Sequence, residues 1–357
     1  MIFHDYFTLL GGGERLIHTL SRLFSRPIIT AFAAAGFYGS MGWHVPVRPL
    51  LPQIPPGPAS LHGPIAAVIF ATRGRKHLPH GSRVVFSGNF APLAVDPAKG
   101  TTDVFYCHTP PRFLFDLRAF YWKRMPAAVR PAYRVFLQIY AALYHRAVQH
   151  MHVIVANSRT VQGRIRRYLG RDAQIVHPPC DTRRFRFLGQ DDYYLSMARL
   201  DPAKNVGAVV KAFTKIPRKK LVVVSGGSEL AHIRRLAQDA TNIHVLGWVP
   251  ESTLTQLVGR CIGTIYVPKE EDFGMSPVES MAAGKPVIGV REGGVQETVV
   301  HGRTGLLLQP NWRLEHLVEA VEWMSPEEAR RMRHLCEQRA LNFSEAVFYQ
   351  KMRHVLL

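Results

Sequence analysis

Two carboxylates eight residues apart, Glu271 and Glu279, stand in the stretch KEEDFGMSPVESMAAGKPVIGV (269–290), with Gly274 between them. The run IGTIYVP delivers the chain into the loop that holds Glu271, and a helix beginning at about Ser276–Pro277 holds Glu279. One reading is local. Ser276 as N-cap, Pro277 at the first helical position and Glu279 at the third form a capping box. The other reading is chemical. Backbone N–H groups of Gly274, Met275 and Ser276 at a helix start lack intrahelical acceptors and suit an anionic or hydroxyl-rich ligand. Glu271 and Glu279 could then accept from two sets of hydroxyls on one ligand, as a sugar nucleotide carries on its hexose and its ribose. Such a ligand needs cations. ARLDPAKN supplies Arg199 and Lys204 in the loop after a strand, and guanidinium and ammonium are the groups that bind phosphate oxygens.

Two further stretches qualify. GGGE (11–14), between a first strand and a first helix, lets backbone approach a ligand with no Cβ in the way. It lacks both the G-x-G-x-x-G spacing of dinucleotide sites and the G-K-[ST] of a Walker loop. YCHTPPR (106–112) puts His108 at a strand end before a Pro-Pro turn, able to donate or accept near neutral pH. The chain holds no D-x-D and no His/Glu cluster with metal spacing, so neither a bound metal nor another cofactor is expected. It holds no G-x-S-x-G, so hydrolase chemistry is not supported. The four cysteines are scattered without C-x-x-C, which fits a reducing compartment and argues against a disulfide scaffold.

The elements that must position these residues follow one pattern. In the second half short β-branched runs (DYYLSMARL, KLVVVSGG, NIHVLGWV, IGTIYVP, KPVIGV) alternate with helical stretches of about ten residues, which means βαβ units and a parallel sheet. The first half repeats the pattern less regularly, with strands in RVVFSG, TDVFYCH, HVIVANS and AQIVHPPCD. The expected fold class is α/β, two Rossmann-like doubly wound parallel-sheet domains facing a cleft, with ligands at the strands' C-terminal ends. The expected division is 1–186, 187–340 and a C-terminal helix, 341–357, packing back on the first domain. Only three residues precede HDY, which leaves the first strand short and reads as a truncated or misassigned start. No signal peptide is expected, because residues 1–24 are polar and contain Asp5 and Glu14. The uncharged run Pro27–Val47 reads as a buried strand plus loop rather than a membrane span, given its glycines, His44 and Pro46.

Charge is uneven. The formal net charge is +19, and residues 1–186 hold 24 Lys+Arg against 7 Asp+Glu. The stretch 112–136 interleaves basic residues with seven aromatics. That composition suits an anionic membrane interface, or single-stranded nucleic acid stacking on the rings.

Seven segments in order, HDYFTLLGGGER, YCHTPPR, VANSRTVQGRI, MARLDPAKN, VLGWV, EEDFGMSPVESMAAGKPVIGV and GGVQETVVHGRTGLL, resemble a family-four retaining glycosyltransferase of GT-B architecture. The resemblance covers nearly the whole chain and is strongest from 193 to 308. It implies that Glu271 contacts donor-sugar hydroxyls near the reacting carbon and that Glu279 binds the ribose. Arg199 and Lys204 match the pair that neutralises the departing diphosphate, and the amides at Gly274, Met275 and Ser276 those that hold the sugar. Gly12 and Gly13 match the loop facing the donor phosphates. His108 matches the histidine beside the scissile bond, and the segment around Trp248 and Val249 the base-binding loop. The HDY…GGGER and YCHTPPR segments look like mannosyltransferase-type members of polysaccharide and O-antigen pathways. The expected activity is metal-independent hexose transfer, with GDP-mannose as donor and a polyprenyl-diphosphate-linked or other saccharide as acceptor. The expected place is the cytoplasmic face of the cytoplasmic membrane, bound peripherally through the basic first domain. A soluble acceptor or a sugar-nucleotide epimerase is the rival within the fold. A nucleic-acid-binding protein is the rival outside it, and that reading leaves 193–308 unexplained.

Overall fold

A computed structural model describes residues 1–8, 11–34 and 45–357. Contacts divide the chain into two compact units, Met1–His177 with Tyr349–Leu357, and Pro178–Phe348.

The first unit is built on seven strands: β1 (Ile2–His4), β2 (Ile28–Thr30), β3 (Val47–Pro49), β4 (Arg83–Ser87), β5 (Thr102–Cys107), β6 (Val153–Ala156) and β7 (Gln174–Ile175). They lie in the order β3-β2-β1-β4-β5-β6-β7, every pair parallel. The second unit has six: β8 (Tyr194–Ser196), β9 (Leu221–Val224), β10 (Ile243–Gly247), β11 (Thr264–Tyr266), β12 (Val287–Val290) and β13 (Gly305–Leu308). Their order is β10-β9-β8-β11-β12-β13, again parallel throughout. Strands such as LVVV of β9 and VIGV of β12 are buried at every position. A sheet covered on both faces needs such unbroken apolar runs, because no side chain meets water. Each unit has its own core, one around Phe3, Phe86, Phe105 and Tyr144, the other around Val223, Ile265, Val278 and Val321.

Both sheets reverse their strand order once, between β1 and β4 and between β8 and β11. In open parallel sheets the crevice outside the strand ends at that point is where ligands sit. The loops after β1, β4, β8 and β11 are therefore the ones that matter.

In the run 27–47, Ile28–Thr30 form the buried strand β2, while residues 35–44 lie outside the described residues. Among the described residues no helix is long and apolar enough to cross a membrane. Strand β3 was not expected from the sequence; it ends in Pro49 and lies at the sheet edge, the position where a missing N–H costs no ladder bond.

Candidate functional site

The second unit's crevice is made by the loops after β8 and β11. After β8 the chain makes a single 3-10 turn, Pro202–Lys204, which aims Lys204 across the crevice. The Lys269 N–H donates to Ala203 O at 2.8 Å and ties the two loops together. Lys204 Nζ then donates to Glu271 Oε2 at 2.5 Å and reaches Tyr266 Oη at 3.3 Å, while Tyr266 Oη donates to the same Glu271 oxygen at 2.6 Å. The Lys204 and Glu271 side chains are only 22% and 13% exposed. Burial pushes the Glu271 carboxyl up, but the Lys204 charge and hydrogen bonds from Lys204, Tyr266 and the Asp272 N–H outweigh it and leave the group below its ordinary value. Burial, reinforced by the Glu271 charge, pushes the Tyr266 phenol well above its own, so it stays a donor. An ammonium has three donors. Two are directed at Glu271 and Tyr266, and the third has no partner among the described residues.

The loop after β12 fixes Glu271 from the other side. Gly294 N–H donates to Glu271 O at 2.8 Å. Gly293 sits at φ +58, and a Cβ there would stand 2.2 Å from that same carbonyl oxygen. No residue with a side chain fits.

The helix after Glu271 starts earlier than the sequence suggests. Helix α1 (Met275–Ala282) has Gly274 as its N-cap, at φ 85, and no side-chain cap bond. The expected Ser276–Pro277–Glu279 capping box is not formed: Ser276 is the second helical residue and Pro277 the third. Glycine's access to positive φ lets the chain turn into the helix two residues sooner. Pro277 tolerates its place because its missing N–H is among the first-turn donors that have no intrahelical acceptor. Gly274 is also packed, since a Cβ there would meet Tyr266 at 3.2 Å and Glu271 at 3.5 Å. The N–H groups of Met275 and Ser276 open the helix beside the Lys204–Glu271 pair. Glu279 lies one turn further on, half-buried.

Arg199 is not part of that cluster. It is 58% exposed and pairs with Asp201 on its own loop. Trp248, 74% exposed, lies against Gly226 in the loop after β9, with Val249 half-buried beside the core. Tyr266 is the residue that sequence reasoning passed over. Its signal was its place, the last residue of a strand at the switch point.

In the first unit, the helix Gly12–Phe24 starts at Gly11, whose N–H is accepted by Glu14 Oε2 at 2.9 Å. Gly12 and Gly13 are thus its first-turn residues. The Gly13 backbone packs against the His108 ring, close enough that a Cβ there would lie 3.6 Å from His108 Nε2. His108 Nε2 lies 2.8 Å from Ser87 Oγ, and Asn157 Nδ2 donates to His108 O at 2.8 Å. Burial pushes His108 down to about 4. Asp5 is structural, its carboxylate accepting from the N–H groups of Asn89, Phe90 and Ala91 at 2.6–2.8 Å.

The basic, aromatic stretch forms two helices, Arg118–Arg124 and Arg130–Gln149. The second buries Leu137, Tyr140 and Tyr144 on one side and exposes Val135, Ile139 and Leu143 on another. Phe120 and Tyr121 are exposed on the first, with Arg124 over the Phe120 ring at 3.8 Å. From residue 117 to 171 there is no Asp or Glu. Among the described residues no group of three His, Cys, Asp or Glu could hold a metal ion.

Comparison with known proteins adds to this geometry. Residues 181–342 match the family model described as glycosyl transferases group 1. The chain is 25% identical over 252 residues to an alpha-1,3/1,6-mannosyltransferase of Dictyostelium discoideum, and the match spans 58% of this chain and 58% of that protein's length. Anabaena HepE, solved in complex with UDP and glucose, superposes with a TM-score of 0.74 at 17% identity over 99% of this chain and 98% of that one. WaaG, a glycosyltransferase involved in lipopolysaccharide biosynthesis, superposes with a TM-score of 0.74 at 14% identity over 100% and 99% of the two chains. At that identity the solved structures establish the fold, a two-domain α/β GT-B architecture.

Proposed function

We propose, from the premise that residues 181–342 are a group 1 glycosyl transferase module, that this chain is a retaining, metal-independent glycosyltransferase using a nucleotide-sugar donor. The observation that carries the reading is the second unit's switch point. There an ionised Glu271, a half-buried Lys204 and the first N–H groups of a helix converge on one crevice. That is an arrangement for a hydroxyl-rich ligand with an anionic diphosphate. The likeness to Anabaena HepE with UDP and glucose supports a nucleoside diphosphate sugar, and the mannosyltransferase relative favours GDP-mannose as the donor.

The chemistry follows. The anomeric carbon loses its nucleoside diphosphate through a transition state with oxocarbenium character. Lys204 and the amides at 274–276 stabilise the leaving charge, and groups aimed at developing charge usually supply the largest catalytic term. Glu271 holds sugar hydroxyls, Glu279 the ribose, and the segment at Trp248 and Val249 the base. The acceptor hydroxyl attacks from the face the diphosphate leaves, and a phosphate oxygen takes its proton. No protein nucleophile is then required, and no metal, since the ammonium and helix N–H groups face the diphosphate.

The acceptor is a membrane-associated, polyprenyl-diphosphate-linked saccharide, taken up while the protein lies on an anionic leaflet. The acid-free stretch 117–171 and the exposed stripe Val135, Ile139 and Leu143 support this, since basic residues beside exposed apolar ones suit a charged lipid interface.

The test is nucleotide release. The purified chain is incubated without metal with GDP-mannose, UDP-glucose and ADP-glucose, with and without lipid extract in phosphatidylglycerol vesicles. GDP is expected from GDP-mannose, faster with lipid, and about a hundredfold more slowly from a Glu271→Ala protein. Release of no nucleotide from any of the three would remove the reading. Release from another sugar would move the donor and leave the reaction class in place.

A further inference from the structure

The first unit's switch point holds a line of side chains that the reaction above does not use. β1 and β4 are parallel neighbours, and their last residues, His4 and Ser87, are register partners. Ser87 in turn pairs with Tyr106 of β5, two residues before His108. Across these three strand ends, His4 Nδ1 lies 3.3 Å from Ser87 Oγ, and Ser87 Oγ lies 2.8 Å from His108 Nε2. His4 and Ser87 are buried, at 4% and 0% exposure. His4 Nε2 is also buried and has no hydrogen-bond partner among the described residues. His108 is half-buried, and its Nδ1 has no partner among the described residues either.

Three protons must be placed, one on each neutral ring and one on the hydroxyl. They can all point from His108 toward His4. His4 then carries its proton on Nε2, a buried N–H with no acceptor among the described residues. They can all point the other way: His4 Nδ1–H donates to Ser87, Ser87 O–H donates to His108 Nε2, and His4 Nε2 is left with a lone pair only. Buried N–H groups without an acceptor are rarer in proteins than under-used acceptors, so the second order is favoured. If both rings donated to Ser87, its own proton would have no acceptor among the described residues. The two lengths agree with the second order, because hydroxyl donors make shorter bonds than N–H donors and the shorter contact is on the His108 side.

We propose that Ser87 and His4 are positioning residues that keep the proton of a neutral His108 on Nδ1, so that this nitrogen offers a donor N–H and neither a base nor a cation. Burial pushes His108 down to about 4; burial, with a smaller contribution from His108, pushes His4 down to about 3. Both shifts fit rings that stay neutral. The functional sense of this order rests on the glycosyltransferase reading. A neutral N–H can hold a sugar or phosphate oxygen without placing positive charge beside a carbon that itself becomes positive.

The experiment needs no substrate. Long-range proton–nitrogen NMR correlations of the histidine rings in the full chain read the tautomer, with His108 identified by the signals lost in His108→Gln. Wild-type His108 is expected as the Nδ1–H tautomer at neutral pH. In Ser87→Ala, which removes a hydroxyl and adds no bulk, that single pattern is expected to be lost to a mixture. Wild-type His108 found with its proton on Nε2, or as imidazolium, would overturn the proposal, and so would an unchanged tautomer in a folded Ser87→Ala protein. Because no nucleotide takes part, this test and the nucleotide-release test fail separately. Once a donor is in hand, Ser87→Ala is expected to lower kcat about tenfold, the worth of one hydrogen bond, with little change in KM.

Discussion

Tyr266→Phe isolates the device that shapes the crevice. The substitution keeps the ring, which is 6% exposed and packed beside Gly274, and removes only the hydroxyl. That hydroxyl donates to Glu271 Oε2 at 2.6 Å and lies 3.3 Å from Lys204 Nζ. A hydrogen bond to a charged group contributes about 1.5–3 kcal/mol. Glu271 keeps Lys204 and the Asp272 N–H, so the lower end applies, about 1.5 kcal/mol. For a unit the size of Pro178–Phe348 that is a fall in Tm of roughly 3–6 °C. The loss should depend on pH in a definite direction. The folded value of Glu271 lies below the ordinary carboxylate value, so its ionisation stabilises the fold above that ordinary value, and the contribution fades as pH falls through the folded value. The Phe variant lacks one of the donors that depress the carboxyl. The difference between the two proteins should therefore be full at neutral pH and close in acid. The assay is thermal unfolding of both proteins across that range, followed by tryptophan fluorescence. Equal stability at neutral pH, or a gap that widens in acid, would refute the claim that Tyr266 and Lys204 hold an ionised Glu271.

Other outcomes follow from the same geometry. Gly293→Ala should be far more destabilising than Gly302→Ala: both sit at positive φ, costing about 1–3 kcal/mol for a side chain, but only the first would drive a Cβ to 2.2 Å from Glu271 O, while the second faces open space. Thermal unfolding of the pair checks this, and equal losses would mean that the Gly293 contact is relieved at no cost. Glu271→Ala should cut turnover by a hundredfold or so with the fold intact by circular dichroism, in line with losing a charged hydrogen-bonding group from the proposed donor site. Val135→Ser with Ile139→Ser, both exposed positions, should leave stability and nucleotide binding unchanged while weakening sedimentation with phosphatidylglycerol vesicles; unchanged sedimentation would leave the arginines as the whole of the lipid contact.

What the sequence made legible were features carried by local pattern. Runs such as LVVV and VIGV announced buried parallel strands because two covered faces leave no room for alternation. The E-x7-E loop announced itself because a strand end, a glycine and a helix start are consecutive in the chain. The helix start itself was misplaced by two residues, because the choice between a Ser276 cap and a Gly274 cap turns on backbone conformation, and Gly274 at φ 85 decides it. Tyr266 was missed because an aromatic at a strand end reads as core, and only packing shows its hydroxyl turned to Glu271. Ser87 and His4 were beyond reach for another reason. They are 83 residues apart in the chain, and only the β1–β4 register makes them neighbours.

The central claim is that a nucleoside diphosphate binds at the Lys204–Glu271 crevice without metal. Its most direct test is a thermal-shift titration of the purified chain and of Lys204→Ala with GDP, UDP and ADP in the presence of a chelator, since a ligand that binds only the folded state raises Tm. One nucleotide is expected to stabilise the wild-type chain, and the shift is expected to shrink sharply in Lys204→Ala. A folded wild-type chain that responds to none of the three, or a Lys204→Ala protein that responds as the wild type does, would contradict the account.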